Sequence, residues 1–260
     1  MRKPLVAGIS AAALCAAPAL AADMAMKAPP PPTAQIFSWT GFYIGGYVGG
    51  GWNGGSVIGN PLPDPVTYGF EQETIPMSGG GALGGGQVGY NWQMLPTFLL
   101  GVEADFSWSG IRGSGTVGPI QSIPPGAAFA VGSTATASSN VDWLSSLRGR
   151  VGYTWDRFLA YATGGVARGR ENNSANEVFL TGVTNPGAST ATQTGWVVGG
   201  GLEYAWTDKW AVRAEYLYYN LANDTFVGAR VPVFAPFGVQ YVDKVQLNVI
   251  RIGLDYKFGH

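Results

Sequence analysis

An export signal at the N-terminus, segments that alternate apolar with polar residues, and connections that alternate strictly between short and long predict an all-β chain, an eight-stranded antiparallel up-and-down transmembrane β-barrel. Composition agrees. Of 260 residues 12% are charged, 13% are aromatic and forty are glycine, which is poor in charge and rich in aromatics for a secreted globular domain. After the signal no helix-period segment appears and no apolar run reaches the ~20 residues of a spanning helix. Any membrane crossing is therefore made by strands.

Arg2 and Lys3 precede an apolar stretch, Leu5 to Leu20, that closes on Ala19, Ala21 and Ala22, so residues 1–22 read as a secretory signal peptide cleaved after Ala21 or Ala22. Pro4, Gly8 and Pro18 interrupt the stretch too often for a spanning helix. The single cysteine, Cys15, leaves with the signal, and Leu14 precedes it where a lipoprotein signal carries a small residue. Neither a lipid anchor nor a disulfide framework is expected. Loss of Arg2 and Lys3 leaves thirteen basic residues against sixteen acidic ones, a formal charge of about −3 that excludes nucleic acid as a partner. Residues 23–38, with Pro29 to Pro32, read as a stiff polyproline-type periplasmic leader, and residues 39–260 as the outer-membrane barrel domain.

The strands follow in order. Gly41 to Trp52 and Gly81 to Trp92 are the first two. In the third, Phe98 to Ser109, Phe98, Leu100, Val102, Ala104, Phe106 and Trp108 share one face, while Glu103 and Asp105 share the other with Leu99, Gly101, Ser107 and Ser109. The fourth, Val141 to Trp155, sets Val141, Trp143, Leu147, Val151, Tyr153 and Trp155 against Asp142, Arg148 and Arg150. In the fifth, Phe158 to Arg170, Leu159 and Tyr161 are assigned outward and Gly164, Arg168 and Arg170 inward. The sixth, Thr194 to Trp206, sends Trp196, Val198, Leu202, Tyr204 and Trp206 outward and Glu203 inward. The seventh, Trp210 to Tyr219, sends Trp210, Val212, Ala214, Tyr216 and Tyr218 outward, with Arg213 and Glu215 inward. In the eighth, Val245 to Phe258, Ile250, Ile252, Leu254, Tyr256 and Phe258 face outward, and Arg251, Asp255 and Lys257 inward.

The connections Met94 to Thr97, Asp156 to Arg157 and Thr207 to Lys209 are tight, whereas Asn53 to Gly80, Ile111 to Asn140, Glu171 to Gln193 and Asn220 to Lys244 are long. Short periplasmic turns and long external loops are the wiring of a barrel in the cell outer membrane, with both termini periplasmic. Trp92, Phe98, Trp155, Phe158, Trp206 and Trp210 flank the tight turns, as an inner aromatic girdle requires.

The inward charges form the candidate site. A symmetric turn about Asp208 sets Glu203 opposite Arg213, and plausible registers pair Glu103 with Arg150, Asp105 with Arg148 and Arg213 with Asp255. Six inward acids, Asp142, Glu215 and Asp255 among them, then face seven bases. Eight strands leave an interior just wide enough for side chains, so the expectation is a lumen filled by ion pairs that fix register; the functional alternative is a narrow conduction path. A one-residue slip would turn these charges to lipid at ~2 kcal/mol or more for a central arginine, and somewhat less for an acid.

No catalytic, cofactor or metal site is expected. His260 is the only histidine, which disfavours histidine-dependent hydrolysis and His/Cys metal sites alike. The clusters Gly79 to Gly81 and Gly84 to Gly86 lack the Gly-Lys-Ser/Thr of a phosphate loop. Asp64, Glu71, Glu73, Glu177 and Asp224 match no calcium-loop spacing and read as solvated loop charge. Arg112, Arg168, Arg170 and Arg230 lie near the outer rim, where lipopolysaccharide phosphates are candidate partners.

The runs W-T-G-F-Y-I-G-G-Y-V-G-G-G-W at Trp39 to Trp52, R-A-E-Y-L-Y-Y and I-R-I-G-L-D-Y-K-F resemble the small outer-membrane β-barrel family of alphaproteobacteria, which includes major surface antigens of brucellae and related barrels of rhizobia. Ala22-Asp23 and Pro29 to Pro32 match that family's mature start and leader. The resemblance covers the mature chain and implies an eight-stranded barrel, often labelled a porin, that supports envelope integrity and surface interactions. It also implies that Arg251, Gly253, Tyr256 and Phe258 form the C-terminal signal read by the barrel assembly machinery, although Gly259 and His260 follow where the aromatic is usually last. Outer-membrane lipid, lipopolysaccharide and that machinery are the expected partners, with peptidoglycan a candidate contact for the leader. A soluble secreted barrel holding an apolar ligand is the remaining alternative.

Overall fold

A computed structural model describes residues 37–62, 73–119, 132–178, 182, 184–228 and 238–258. The signal peptide, all but the end of the leader, Asp64, Glu71, Arg230 and His260 lie outside the described residues. The elements are β1 (Gly41–Asn53), β2 (Ser56–Leu62), β3 (Glu73–Pro76), β4 (Gly80–Leu95), β5 (Phe98–Val117), β6 (Thr134–Trp155), β7 (Phe158–Val178), β8 (Thr184–Ala205), β9 (Trp210–Leu221), β10 (Asp224–Val227), β11 (Gly238–Lys244) and β12 (Gln246–Lys257). Eight of them close an antiparallel barrel in the order β1-β12-β9-β8-β7-β6-β5-β4. Closure matters because it leaves no unpaired edge in lipid.

The three tight turns are where the sequence places them. Trp155 pairs directly with Phe158, and Asp156 takes a left-handed φ of 53° that aspartate tolerates. Large apolar side chains such as Val48, Val102, Leu147, Leu202 and Ile252 stand exposed on the outer face. At the periplasmic end Trp155 stacks on Phe158 at 5.7 Å, and at the other end Phe106 stacks on Trp143 at 5.7 Å. Between Phe98 and Trp108, ten residue steps of a tilted strand rise roughly 25 Å, the height of an outer-membrane apolar band.

Above that band the chain departs from the expected long loops. β5 runs on to Val117, β6 starts at Thr134, β7 reaches Val178 and β8 starts at Thr184. A second sheet in the order β10-β11-β2-β3 stands with these extensions as an extracellular collar. The extensions are rich in Ser, Thr, Ala and Asn, so their alternation is polar against small and carries no hydropathy signal.

Two facing assignments are corrected. Asp142 is an extra residue in β6, where the register with β7 shifts between Val141 and Trp143. That bulge flips parity: below it Leu144, Ser146, Arg148 and Arg150 are buried, and above it Val141, Ser139 and Ala137 are. In β7 Leu159 and Tyr161 point into the barrel, while Arg168 and Arg170 are exposed on its outside. Small residues on both faces gave that strand no pattern to read. Its arginines come at the end of the apolar band, where an outward cation reaches water.

Candidate functional site

Inward parity on β5, β6, β8, β9 and β12 brings four arginines and five acids to one level of the lumen. Glu103 is the hub. Its carboxylate pairs with Arg148, with Arg213 at 2.5 Å, with Arg251 at 3.5 Å and with Arg150 at 3.6 Å. Arg148 also reaches Glu215 at 2.9 Å and Asp105 at 3.1 Å, and Arg150 holds Glu203 at 2.7 Å. Arg213 bridges Glu203 at 2.8 Å and Asp255 at 3.0 Å, while Arg251 joins Glu215 at 2.5 Å and Asp105 at 3.3 Å. All nine side chains are at most 5% exposed.

Neutral groups complete the tier. Tyr43 donates its hydroxyl to Glu103 at 2.6 Å, Tyr161 to Glu215 at 2.9 Å and Tyr47 to Asp105 at 3.2 Å. Ser146 also donates to Asp105, and Gln87 donates to Asp255 at 2.6 Å. Asn91 accepts from Arg150 Nε at 2.9 Å. The tyrosine rings cover the cations too, with Arg251 4.1 Å from the Tyr47 ring and Arg150 4.8 Å from that of Tyr161. Charge alternation signalled the arginines and acids; the tyrosines sit in glycine-rich strands, where they read as ordinary aromatics.

Room for this layer comes from inward glycines. A Cβ on Gly89 would run into the Tyr43 hydroxyl, and one on Gly101 would lie 2.9 Å from Arg150 Cγ. Glycine is required at such close approaches.

Of the expected pairs, Glu203 opposite Arg213 matches the register. In β5 and β6 the register differs by two residues, with Glu103 opposite Arg148 and Asp105 opposite Ser146. The long connection hid that offset, yet long arginine side chains still join Arg148 to Asp105 and Arg150 to Glu103 across the diagonal. Arg213 meets Asp255 on the same diagonal principle, while Arg251 and Glu215 are direct register partners. Asp142 is not in the tier: its bulge turns it outward, toward Arg170 at 3.7 Å and Asn172 at 2.8 Å. Lys257 is also outside the tier, donating to the Ser38 carbonyl and lying 4.8 Å from the Phe37 ring at the periplasmic mouth. The four C-terminal signal positions divide between two faces, Tyr256 and Phe258 outward with rings 5.0 Å apart, Arg251 and Gly253 inward.

Buried apolar side chains pack on both sides of the tier. Below the tier Trp39, Leu99, Leu159, Ala205 and Ala211 form one cluster that reaches Tyr161 of the tier. A cavity at that mouth, lined in part by Phe37, Trp39 and Tyr43, measures about 20 Å³, room for a single water. Above it Ile111, Leu144, Val197, Leu217, Leu247 and Val249 belong to a second cluster. The charges thus lie between two clusters of buried apolar side chains.

Among described residues no three His, Cys, Asp or Glu side chains are gathered to hold a metal ion. The family described as Outer membrane protein beta-barrel domain matches residues 7–258. A relative named 31 kDa outer-membrane immunogenic protein, from Brucella melitensis biotype 1, is 34% identical over 99% of this chain and 100% of its own length. A 22 kDa outer membrane protein of Rhizobium leguminosarum bv. viciae is 32% identical over 78% of this chain and 72% of the relative. Among solved structures, the outer membrane protein OprG of Pseudomonas aeruginosa aligns over 85% of this chain and 97% of its own with a TM-score of 0.50 and 10% identity, a likeness of fold. With a closed barrel, two aromatic belts and these relatives, the chain belongs to the outer membrane protein beta-barrel domain family and is an outer-membrane protein of the Gram-negative envelope.

Proposed function

We propose that this protein is a non-conducting, non-enzymatic structural barrel that contributes to envelope integrity and presents its collar for surface interactions. The observation that carries the reading is the position of the ion-pair tier. Glu103 touches four arginines, and the layers above and below are apolar and buried. An ion crossing this lumen would have to pass two apolar layers and break several pairs, each desolvation costing several kcal/mol. The tier's role is then to fix strand register and fill the interior. The exposure of Arg168 and Arg170 at the outer edge of the apolar band supports a contact with lipopolysaccharide phosphates, and the outward rings of Tyr256 and Phe258 support recognition by the assembly machinery.

Planar-bilayer recording of refolded protein tests the reading. The expected result is a silent membrane for the native chain. A reproducible open-state conductance that changes in Arg148→Ala or Glu103→Ala would defeat it in favour of a narrow channel.

A further inference from the structure

The collar holds a second set of buried carboxylates, arranged on the opposite principle from the membrane tier. Asp224 of β10 and Asp243 of β11 are direct cross-strand partners, 7% and 2% exposed, so two acids are fixed side by side. Like charges directly opposite on a sheet destabilise it. Glu171 of β7, wholly buried two residues beyond the outer aromatic belt, completes the group, and neither of its carboxylate oxygens has a hydrogen-bond partner. Asp243 Oδ2 lacks one as well, while Asn173 Nδ2 reaches Asp224 at 3.4 Å. The group is sealed between two apolar clusters, Val141, Leu221 and Val245 below and Ala175, Phe226 and Tyr241 above.

Among the described residues the surroundings offer no cation. β3 adds Glu73, β7 adds Glu177 and β11 adds Tyr241, while β8 brings Asn185, β1 Asn53 and β12 Gln246; Tyr219 of β9 lies in the cluster below. Arg112 of β5, Arg168 and Arg170 of β7 and Lys244 of β11 are exposed, and Asp142 of β6 faces outward with Arg170. Among the described residues no basic side chain points into the collar. Nor are three acids drawn together at metal-binding distance. Among the described residues, what remains to neutralise these buried carboxyls is the proton.

We propose that the collar is a proton-dependent lid, in which β10 and β11 stay docked over the barrel while Glu171 and Asp243, packed with Asp224, hold protons and loosen when they give them up. Burial pushes Glu171 up to about 8, with the charges of Asp243 and Asp224 adding to the rise. Burial and the facing Asp224 push Asp243 up to about 7, and burial with Glu73 pushes Glu177 up to about 7. Carboxyls raised in the folded state bind more protons folded than unfolded, so stability falls as pH rises from the ordinary carboxylate range through about 8 and levels off beyond it. This inference concerns the collar alone and stands apart from whether the lumen conducts.

Hydrogen exchange of the refolded chain in lipid, with protection corrected for intrinsic exchange, tests it at pH 6 and pH 9 with EDTA present and absent. Peptides covering Asp224–Val227 and Gly238–Lys244 are expected to lose protection by about tenfold or more at the higher pH, while Phe98 to Glu103 of β5 stays unchanged. The double variant E171Q/D243N should abolish the loss, and E171Q alone, which keeps the facing aspartates, should reduce it. Equal protection of the native collar at both pH values overturns the proposal, with no variant needed. A loss retained in full by a folded E171Q or E171Q/D243N, or a loss produced by EDTA at pH 6, overturns it too, the last because it assigns the counter-charge to a divalent cation.

Discussion

Glu103 illustrates how little freedom one residue has once its neighbours are placed. Four guanidinium groups and the Tyr43 hydroxyl converge on one carboxylate that is 2% exposed. Glu103→Ala takes a carboxylate contact from each of those arginines in a buried layer, and breaking a buried pair costs roughly 3–5 kcal/mol. Urea unfolding followed by heat-modifiable gel mobility should show that loss; a change under about 1 kcal/mol would mean that the hub is dispensable. Gly89 poses the opposite test, because an added methyl meets Tyr43 and lies 2.7 Å from the Val102 carbonyl. Gly89→Ala is expected to cost roughly 1–3 kcal/mol by overpacking, and a neutral result in the same assay would show that the Tyr43 ring has room to move. Charged residues were legible in the sequence here, since Glu103, Arg148 and Arg213 interrupt apolar alternation. Their actual partners were not, because an arginine reaches diagonal neighbours as easily as facing ones.

At the scale of a strand, legibility depended on contrast between the two faces. β9 and β12 alternate bulky apolar with charged residues, and every outward assignment in them stands: Trp210, Val212 and Tyr216, then Ile250, Ile252 and Leu254, are exposed. In β7 the facing pattern dissolves into Ala, Gly and Thr, and the inward bulk of Leu159 and Tyr161 looks like a lipid face. The collar strands escaped notice for the same reason, and Glu177 and Asp224, read as solvated loop acids, proved buried, with Glu73 partly so. Where contrast is high the membrane enforces it. Ile252→Lys puts a cation on the lipid face of β12 near the middle of the band, at roughly 2–4 kcal/mol. Refolding yield into lipid vesicles should fall accordingly, whereas unchanged yield and stability would argue that Ile252 does not face the bilayer.

Over the whole molecule the layers alternate in character: apolar plug, ion pairs, apolar cluster, unpaired acids, apolar cap. The sequence announced the charged middle and left the plugs unannounced, because Leu99, Leu144 and Leu217 share their inward parity with the charges and read as exceptions to it. In the proposed non-conducting barrel the plugs act in series with the ion pairs. Arg148→Ala alone should therefore leave the bilayer silent, since Leu99, Leu159, Leu144 and Leu217 still block the path on either side. Current appearing in that variant would place the barrier in the ion pairs and make the plugs leaky.

The single extra residue at Asp142 works as a frame shift in the code that assigns side chains to inside and outside. Below it even-numbered positions of β6 are buried, and above it odd-numbered ones are, so the two stretches answer to separate rules. Lipid governs the lower frame, and the collar's own interior governs the upper one. Substitutions that remodel the exposed surface between Thr134 and Asn140 need not disturb the register of the spanning segment, which gives a surface-displayed barrel freedom to vary its outer face while its membrane wall stays fixed.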